Sequence, residues 1–150
     1  MGIFSNLFDK VKHLSGDFLD ECKKLANTNL LDATLAACMW IAAADGEIKS
    51  EEKQKMIGYI ERSEALKCYP KTEVVKLANK WGEDFQFDVG IAEENAKKVI
   101  EKVTDTDQAR ILVKVCCAIG AADGDFDEWE KTAVRKICNI LGLPPSQFGL

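Results

Sequence analysis

Among its 150 residues the chain has a single histidine, His13. A zinc site built on imidazoles needs more than one, and a Ser-His-Asp apparatus needs its His beside a nucleophile, so the sequence argues against both. The Glu-x-x-His pairs of di-iron four-helix bundles are ruled out in their usual form for the same reason. Proline is also scarce. Three Pro and ten Gly leave no low-complexity linker, and the length suits one domain over 1–150. No apolar run approaches the roughly 18–20 residues that cross a bilayer. Basic charge is in deficit, with 20 Lys and Arg against 25 Asp and Glu, a net charge of −5 and a pI near 5.0. Nucleic acid favours a basic face, so that partner class is not expected, whereas cation binding is compatible with the balance. A Gly-rich phosphate loop, a dinucleotide fingerprint and a nucleophile–base pair are all missing, which points away from an enzyme. The opening lacks a basic stretch followed by an apolar core, so no secretory leader is expected. Met1-Gly2 begins like a myristoylation signal, but Asn6 stands where Ser or Thr is required.

Cys-x-x-Cys spacing is absent as well. The six cysteines are Cys22, Cys38, Cys68, Cys116, Cys117 and Cys138, and five of them fall in apolar helical stretches. They read as free, buried thiols of a reducing cytosol. The alternative is redox chemistry at Cys116-Cys117, although no His or Arg adjoins that pair to lower a thiol pKa.

What the chain does contain is a repetition. Ile41-Ala42-Ala43-Ala44-Asp45-Gly46-Glu47 recurs as Ile119-Gly120-Ala121-Ala122-Asp123-Gly124-Asp125, displaced by 78 residues. Cys38 matches Cys116, Glu52 matches Glu130, and Lys53 matches Lys131. Each copy reads as an apolar helix, an Asp-Gly turn, an acidic linker and a second helix. Duplication predicts a pseudo-two-fold core over about 33–62 and 111–140.

Apolar spacing of 3.6 dominates and period 2 is nearly absent. The expected class is all-α, a compact bundle of about seven helices plus a short C-terminal turn. The first helix is predicted over Ile3 to Ala26, with Gly16 weakening or bending it. The second, Leu30 to Ala44, is Ala-rich and apolar all round, as a buried helix should be. Asp45-Gly46 should end it, and Ser50 should cap a third helix running to Ser63. Further helices are predicted over Thr72 to Glu83, Val89 to Val103, Gln108 to Ala122 and Asp127 to Leu141. Phe85-Gln86-Phe87-Asp88 reads as a connector with its aromatics docked on the core. Asp127-x-x-Glu130 fits a capping box, Gly142 and Pro144-Pro145 stop the last helix, and a final turn places Phe148.

The second acidic loop carries Asp123, Asp125, Asp127, Glu128 and Glu130 within eight residues. The first carries Asp45, Glu47, Glu51 and Glu52, with Lys49 opposite Asp127. Hard divalent cations such as Ca²⁺ take several carboxylate and carbonyl oxygens converging from a turn. This is not an EF-hand, because Gly follows the first Asp directly and the acidic run is too short. A site would pool ligands from both loops. Asp45, Glu52, Asp123 and Glu130 rank first as the shared positions, then Asp125 and Asp127, with Glu47 in the same loop. Each residue also has an ordinary explanation as a turn former, an N-cap or a dipole-compensating acid. Five carboxylates in so short a loop repel one another, and capping alone does not call for that many. The amphipathic first helix either packs on the core or lies on a membrane surface or partner helix.

Ala44-Asp45-Gly46-Glu47-Ile48 with Ser50-Glu51-Glu52-Lys53-Gln54-Lys55-Met56-Ile57-Gly58 resembles the tellurite-resistance TerB family. So do Asp123-Gly124-Asp125-Phe126-Asp127, Glu130-Lys131 with Ala133-Val134-Arg135, the opening Phe8-Asp9-Lys10-Val11-Lys12 and the ending Phe148-Gly149-Leu150. The resemblance covers essentially the whole chain. It implies an all-helical cytoplasmic protein of tellurite resistance and the linked responses to phage and pore-forming colicins. It further implies a metal-binding or metal-sensing adaptor rather than an enzyme, acting at the inner face of the membrane with the multispanning TerC protein and other Ter proteins. The family's acidic positions fall on Asp45, Glu52, Asp123 and Glu130. Lys49 opposite Asp127 breaks the internal symmetry and favours one shared site or two unequal ones. Two other readings stand beside this: a metal-independent acidic interaction module, and a thiol-based tellurite reductase using Cys116 or Cys117.

Overall fold

The computed structural model describes residues 15–122 and 126–150. Among them are seven α-helices, two short 3-10 turns and no strand. The helices are α1 (Gly16–Lys24), α2 (Thr28–Ala42), α3 (Ser50–Arg62), α4 (Lys71–Phe87), α5 (Val89–Glu101), α6 (Thr106–Gly120) and α7 (Glu128–Leu141). The 3-10 turns are Glu64–Leu66 and Pro145–Phe148. The all-α expectation holds.

α2 is the hub. Leu30, Leu31, Ala33, Leu35, Ala36, Ala37, Met39 and Ile41 are all buried, and the helix packs against α3, α4, α5, α6 and α7. Small side chains on every face let several helices approach one axis, as the all-round apolar pattern predicts. Its one buried hydroxyl, on Thr34, donates to the Leu30 carbonyl at 2.6 Å. Cys38 of α2 and Cys116 of α6 meet with their sulfurs 3.8 Å apart.

Several boundaries differ from expectation, mostly because Asx residues cap the helices. α2 begins at Thr28 rather than Leu30 because the Asn27 side chain accepts from the Leu30 N–H at 2.8 Å. Asp105 accepts from the Gln108 N–H at 2.9 Å, which starts α6 at Thr106. Ser15 is extended (φ −73°, ψ 158°) and accepts from the Phe18 N–H. The helix predicted over Ile3 to Ala26 is therefore not continuous through Ser15, and its first part lies outside the described residues. Gly16 starts α1 rather than bending a longer helix. The supposed connector at 85–88 is the last turn of α4, which runs on until Asp88 caps α5 by accepting from the Ile91 N–H at 3.0 Å. Phe85 is buried as expected, but Phe87 is 88% exposed. Ser50 is the first residue of α3 and not its cap; Lys49 occupies the cap position.

Trp81 is fully buried in α4, and its indole N–H donates to the Asp32 carboxylate of α2 at 2.7 Å. A charged acceptor strengthens such a bond, and a buried donor left unpaired is costly. Asp32→Ala is expected to lower unfolding free energy by about 1–3 kcal/mol in urea denaturation. Asp32→Asn, which keeps a carbonyl acceptor, should cost less; equal losses for the two variants would show that the bond contributes nothing.

Candidate functional site

The first repeated stretch lies across α2 and α3 and the second across α6 and α7. In the first, Ala43 closes α2 and the Gly46 N–H donates back to the Ala43 carbonyl at 3.0 Å. Gly46 has φ +104°, a conformation a side chain would strain. The Asp45 carboxylate accepts from the Glu47 N–H at 3.3 Å, tying the turn to itself. Ile48 then turns inward and is buried. At the start of α3, Glu52 accepts from the Lys49 N–H at 3.0 Å. In the second unit, Glu130 accepts from the Asp127 N–H at 3.1 Å, and Asp127 accepts from the Glu130 N–H at 2.8 Å. This is the capping box expected from the sequence. Lys49 carries no acceptor, so the first unit makes only half of it.

A cleft of about 270 Å³ lies between the units. Asp45 and Glu52 line it from the first, Asp127 and Glu130 from the second. Its floor is apolar, with Ile41, Ala42 and Met56, and Lys55, Tyr59 and Trp129 complete the walls. Gly120 of α6 faces the same space. A side chain there would meet the Phe126 ring at 3.2 Å and the Ile41 methyl at 3.5 Å. A Cβ at this position would push the Phe126 ring back by a few tenths of an ångström, so Gly120 favours its close approach over α6.

Of the acidic residues singled out from sequence, the fold brings together Asp45, Glu52, Asp127 and Glu130. Glu47 is exposed and does not line the cleft. Asp123 and Asp125 lie outside the described residues. Among the described residues, no three His, Cys, Asp or Glu side chains converge closely enough to hold a metal ion. Sequence reasoning missed Tyr59, Lys55 and Trp129. The first two follow Glu52 at helical spacing along α3, a signal that was readable. Trp129, 61% exposed in an acidic first turn, was conspicuous for its type and place.

All six thiols are free and five of them are buried, as the sequence reading expected. Cys116 and Cys117 are buried, and burial raises both thiols well above the usual range, with the neighbouring cysteines adding to the shift. Thiolate is the reactive form, so this pair has little redox chemistry to offer in the folded state. Cys68 is the exposed thiol.

Comparison with known proteins agrees with the residues above. The family pattern described as Tellurite resistance protein TerB matches residues 31–150. A Tellurium resistance protein TerB from Alcaligenes sp is 36% identical over 111 residues, covering 71% of this chain and 91% of that relative. No solved structure matches.

The doubled cap makes Asp127 structural whatever else it does. Asp127→Ala is expected to lower unfolding free energy by about 0.5–2 kcal/mol. Thermal unfolding followed by circular dichroism checks this, and an unchanged midpoint would remove the capping role.

Proposed function

The chain belongs to the TerB family of tellurite resistance proteins, and from that premise we propose that it serves tellurite resistance as a cation-dependent adaptor. The cleft between α3 and α7 is its working surface. The observation that carries this reading is that carboxylates from two sequence-related loops, far apart in the chain, line one cavity. Hard divalent cations such as Ca²⁺ bind oxygen donors of this kind. Asp45, Glu52, Asp127 and Glu130 would draw together to hold the ion, since no three of them converge as they stand; Asp123, Asp125 and Glu47 complete the acidic set read from the sequence. A bound cation would offset the mutual repulsion of these acids and reset the rim of Tyr59, Lys55 and Trp129. That rim is the surface offered to TerC and other Ter proteins at the cytoplasmic face of the membrane. The family's link to phage and colicin responses follows from the same adaptor role. No described helix is long and apolar enough to cross a membrane, which is compatible with such a peripheral part.

A second reading has its own support. Asp45, Glu52, Asp127 and Glu130 already hold turn or cap N–H groups. With the exposed Trp129 they would also make a metal-independent docking face for a basic segment, where charge complementarity sets specificity and on-rate.

Calorimetric titration of chelator-treated protein with Ca²⁺, Mg²⁺, Mn²⁺ and Zn²⁺ separates the two. The adaptor reading expects saturable binding, with a dissociation constant of about 0.1–10 µM as in sensor sites. Glu52→Gln should weaken it roughly tenfold while helicity is kept. Emission from Trp129 should respond, because Trp40 and Trp81 are buried and Trp129 is not. Silence with all four cations, together with salt-sensitive but chelator-insensitive capture of TerC, would replace the cation reading with the second.

A further inference from the structure

Away from the cleft, α1 meets the chain that follows the first 3-10 turn. Cys22 of α1 is buried and Cys68 is exposed. The Cys68 sulfur lies 4.0 Å from the Cys22 carbonyl oxygen and 3.6 Å from that of Ala65. Half-buried Tyr69 completes the cluster. α1 packs chiefly on this 3-10 turn, and the Gln108 amide tethers the chain just beyond it, donating to the Leu25 carbonyl at 2.9 Å.

The Cys22 thiol lies within the electrostatic reach of Cys68. Burial pushes the Cys22 thiol up to about 11, and a charge on Cys68 pushes the same way. Burial also raises Cys68, while its own backbone hydrogen bond and the Lys23 ammonium pull it down. The arrangement has the two parts of an oxidisable pair: a solvent-accessible thiol for attack, and a second cysteine whose backbone that thiol touches, to resolve the product. Cys38 and Cys116, by contrast, touch each other but are closed to solvent.

We propose that Cys22 and Cys68 form a dithiol site that is oxidised by the tellurium(IV) oxyanion, closing a disulfide that fixes α1 to the turn after Glu64–Leu66. The choice of oxidant rests on family membership; the site uses none of the carboxylates of the cleft. The chemistry balances with two chains per oxyanion. One molecule of tellurous acid, the doubly protonated oxyanion, and four thiols give elemental tellurium, two disulfides and three waters. Tellurium–oxygen and S–H bonds break while S–S and O–H bonds form. Four electrons pass from sulfur to tellurium, and the thiol protons leave in water. The chain is consumed in stoichiometric amounts until a thiol reductant restores it.

The test uses the full chain, reduced and desalted without oxygen, with about half an equivalent of potassium tellurite, the two-chains-per-oxyanion ratio of full dithiol oxidation. Remaining thiols are then alkylated and the peptides mapped without reduction. The expected product is an intramolecular peptide pair joining Cys22 and Cys68, with the other four cysteines alkylated only after denaturation. Cys68→Ser, a change at an exposed position, should slow tellurite consumption at least about tenfold, because it removes the accessible thiol. Cys22→Ala should leave Cys68 able to react but direct it into a disulfide between chains. A Cys68–Cys68 link in the unaltered chain would overturn the proposal, as would an absence of tellurite consumption or undiminished consumption by Cys68→Ser. Cation titration of the same Cys68→Ser protein should match the unaltered chain, so failure here is separable from failure of the cleft reading.

Discussion

Everything in this molecule is arranged around one helix with no solvent-facing side through most of its length. α2 is buried from Leu30 to Ile41 except at half-buried Asp32 and touches five of the other six described helices. That is tolerable only because its side chains are mostly small or apolar and its one buried hydroxyl bonds to its own backbone. A polar residue on any face would need a partner at the centre of the fold. The Trp81–Asp32 bond shows how this is managed near the helix start, where a half-buried carboxylate satisfies the one polar atom of a large buried ring. With α2 fixed on all sides, its C-terminal end is fixed too. The first acidic loop therefore leaves the core at a set place, against the end of α6.

Because α2 and α6 lie side by side, with Cys38 and Cys116 in contact, the helices that follow them, α3 and α7, open on the same cleft. The cleft is a consequence of that pairing. Its floor is the end of the helix pair, Ile41, Ala42 and Gly120, and its walls are the opening turns of α3 and α7. Gly120 lets Phe126 close down on α6, as Ile48 closes the first loop with an ordinary buried side chain. The two loops solve one packing problem with residues of different size, which is one physical source of their unequal chemistry. Lys49 against Asp127 is another.

The helices were legible because apolar spacing survives wherever a helix has a buried side, and α2 was legible as buried because its spacing has almost no polar gap. The ends were less legible. Asn27, Asp88 and Asp105 each start a helix, and Asn27 and Asp105 lie ahead of the point where the pattern alone puts the start. The cap bond involves a polar side chain and a backbone N–H, and neither belongs to the apolar pattern. Phe85-Gln86-Phe87 misleads for a related reason. Two aromatics two residues apart suggest an extended connector docked at both rings, whereas in a helix they fall on different faces, one buried and one in solvent. In the site, the carboxylates were readable from the repetition alone. Tyr59 and Lys55 follow Glu52 at helical spacing and Trp129 stands out in its acidic turn, but that they share one cavity depends on the contact between the two helix pairs. Among the thiols, Cys68 alone falls outside the predicted apolar helices, and it is the exposed one. Exposure depends on the turn after Glu64–Leu66 standing clear of the core.

The acids of the cleft illustrate why a cap and a ligand need not be alternatives. A carboxylate offers about four lone-pair sites and a cap bond takes one of them. The bond holds the side chain in a single orientation, so any ligand meeting that oxygen pair finds it already placed and loses less entropy on binding. Capping thus prepares a side chain for cation or guanidinium recognition at little additional cost. The arrangement differs between the loops in a way that matters. Asp127 and Glu130 hold each other's backbone, so both are fixed. Glu52 is fixed through the Lys49 N–H alone, and Asp45 through its own turn. α7 thus holds two of the cleft's acids through a reciprocal pair of bonds, and α3 holds one through a single bond. A ligand drawing on both sides would meet two acids already oriented at the start of α7 and one oriented at the start of α3.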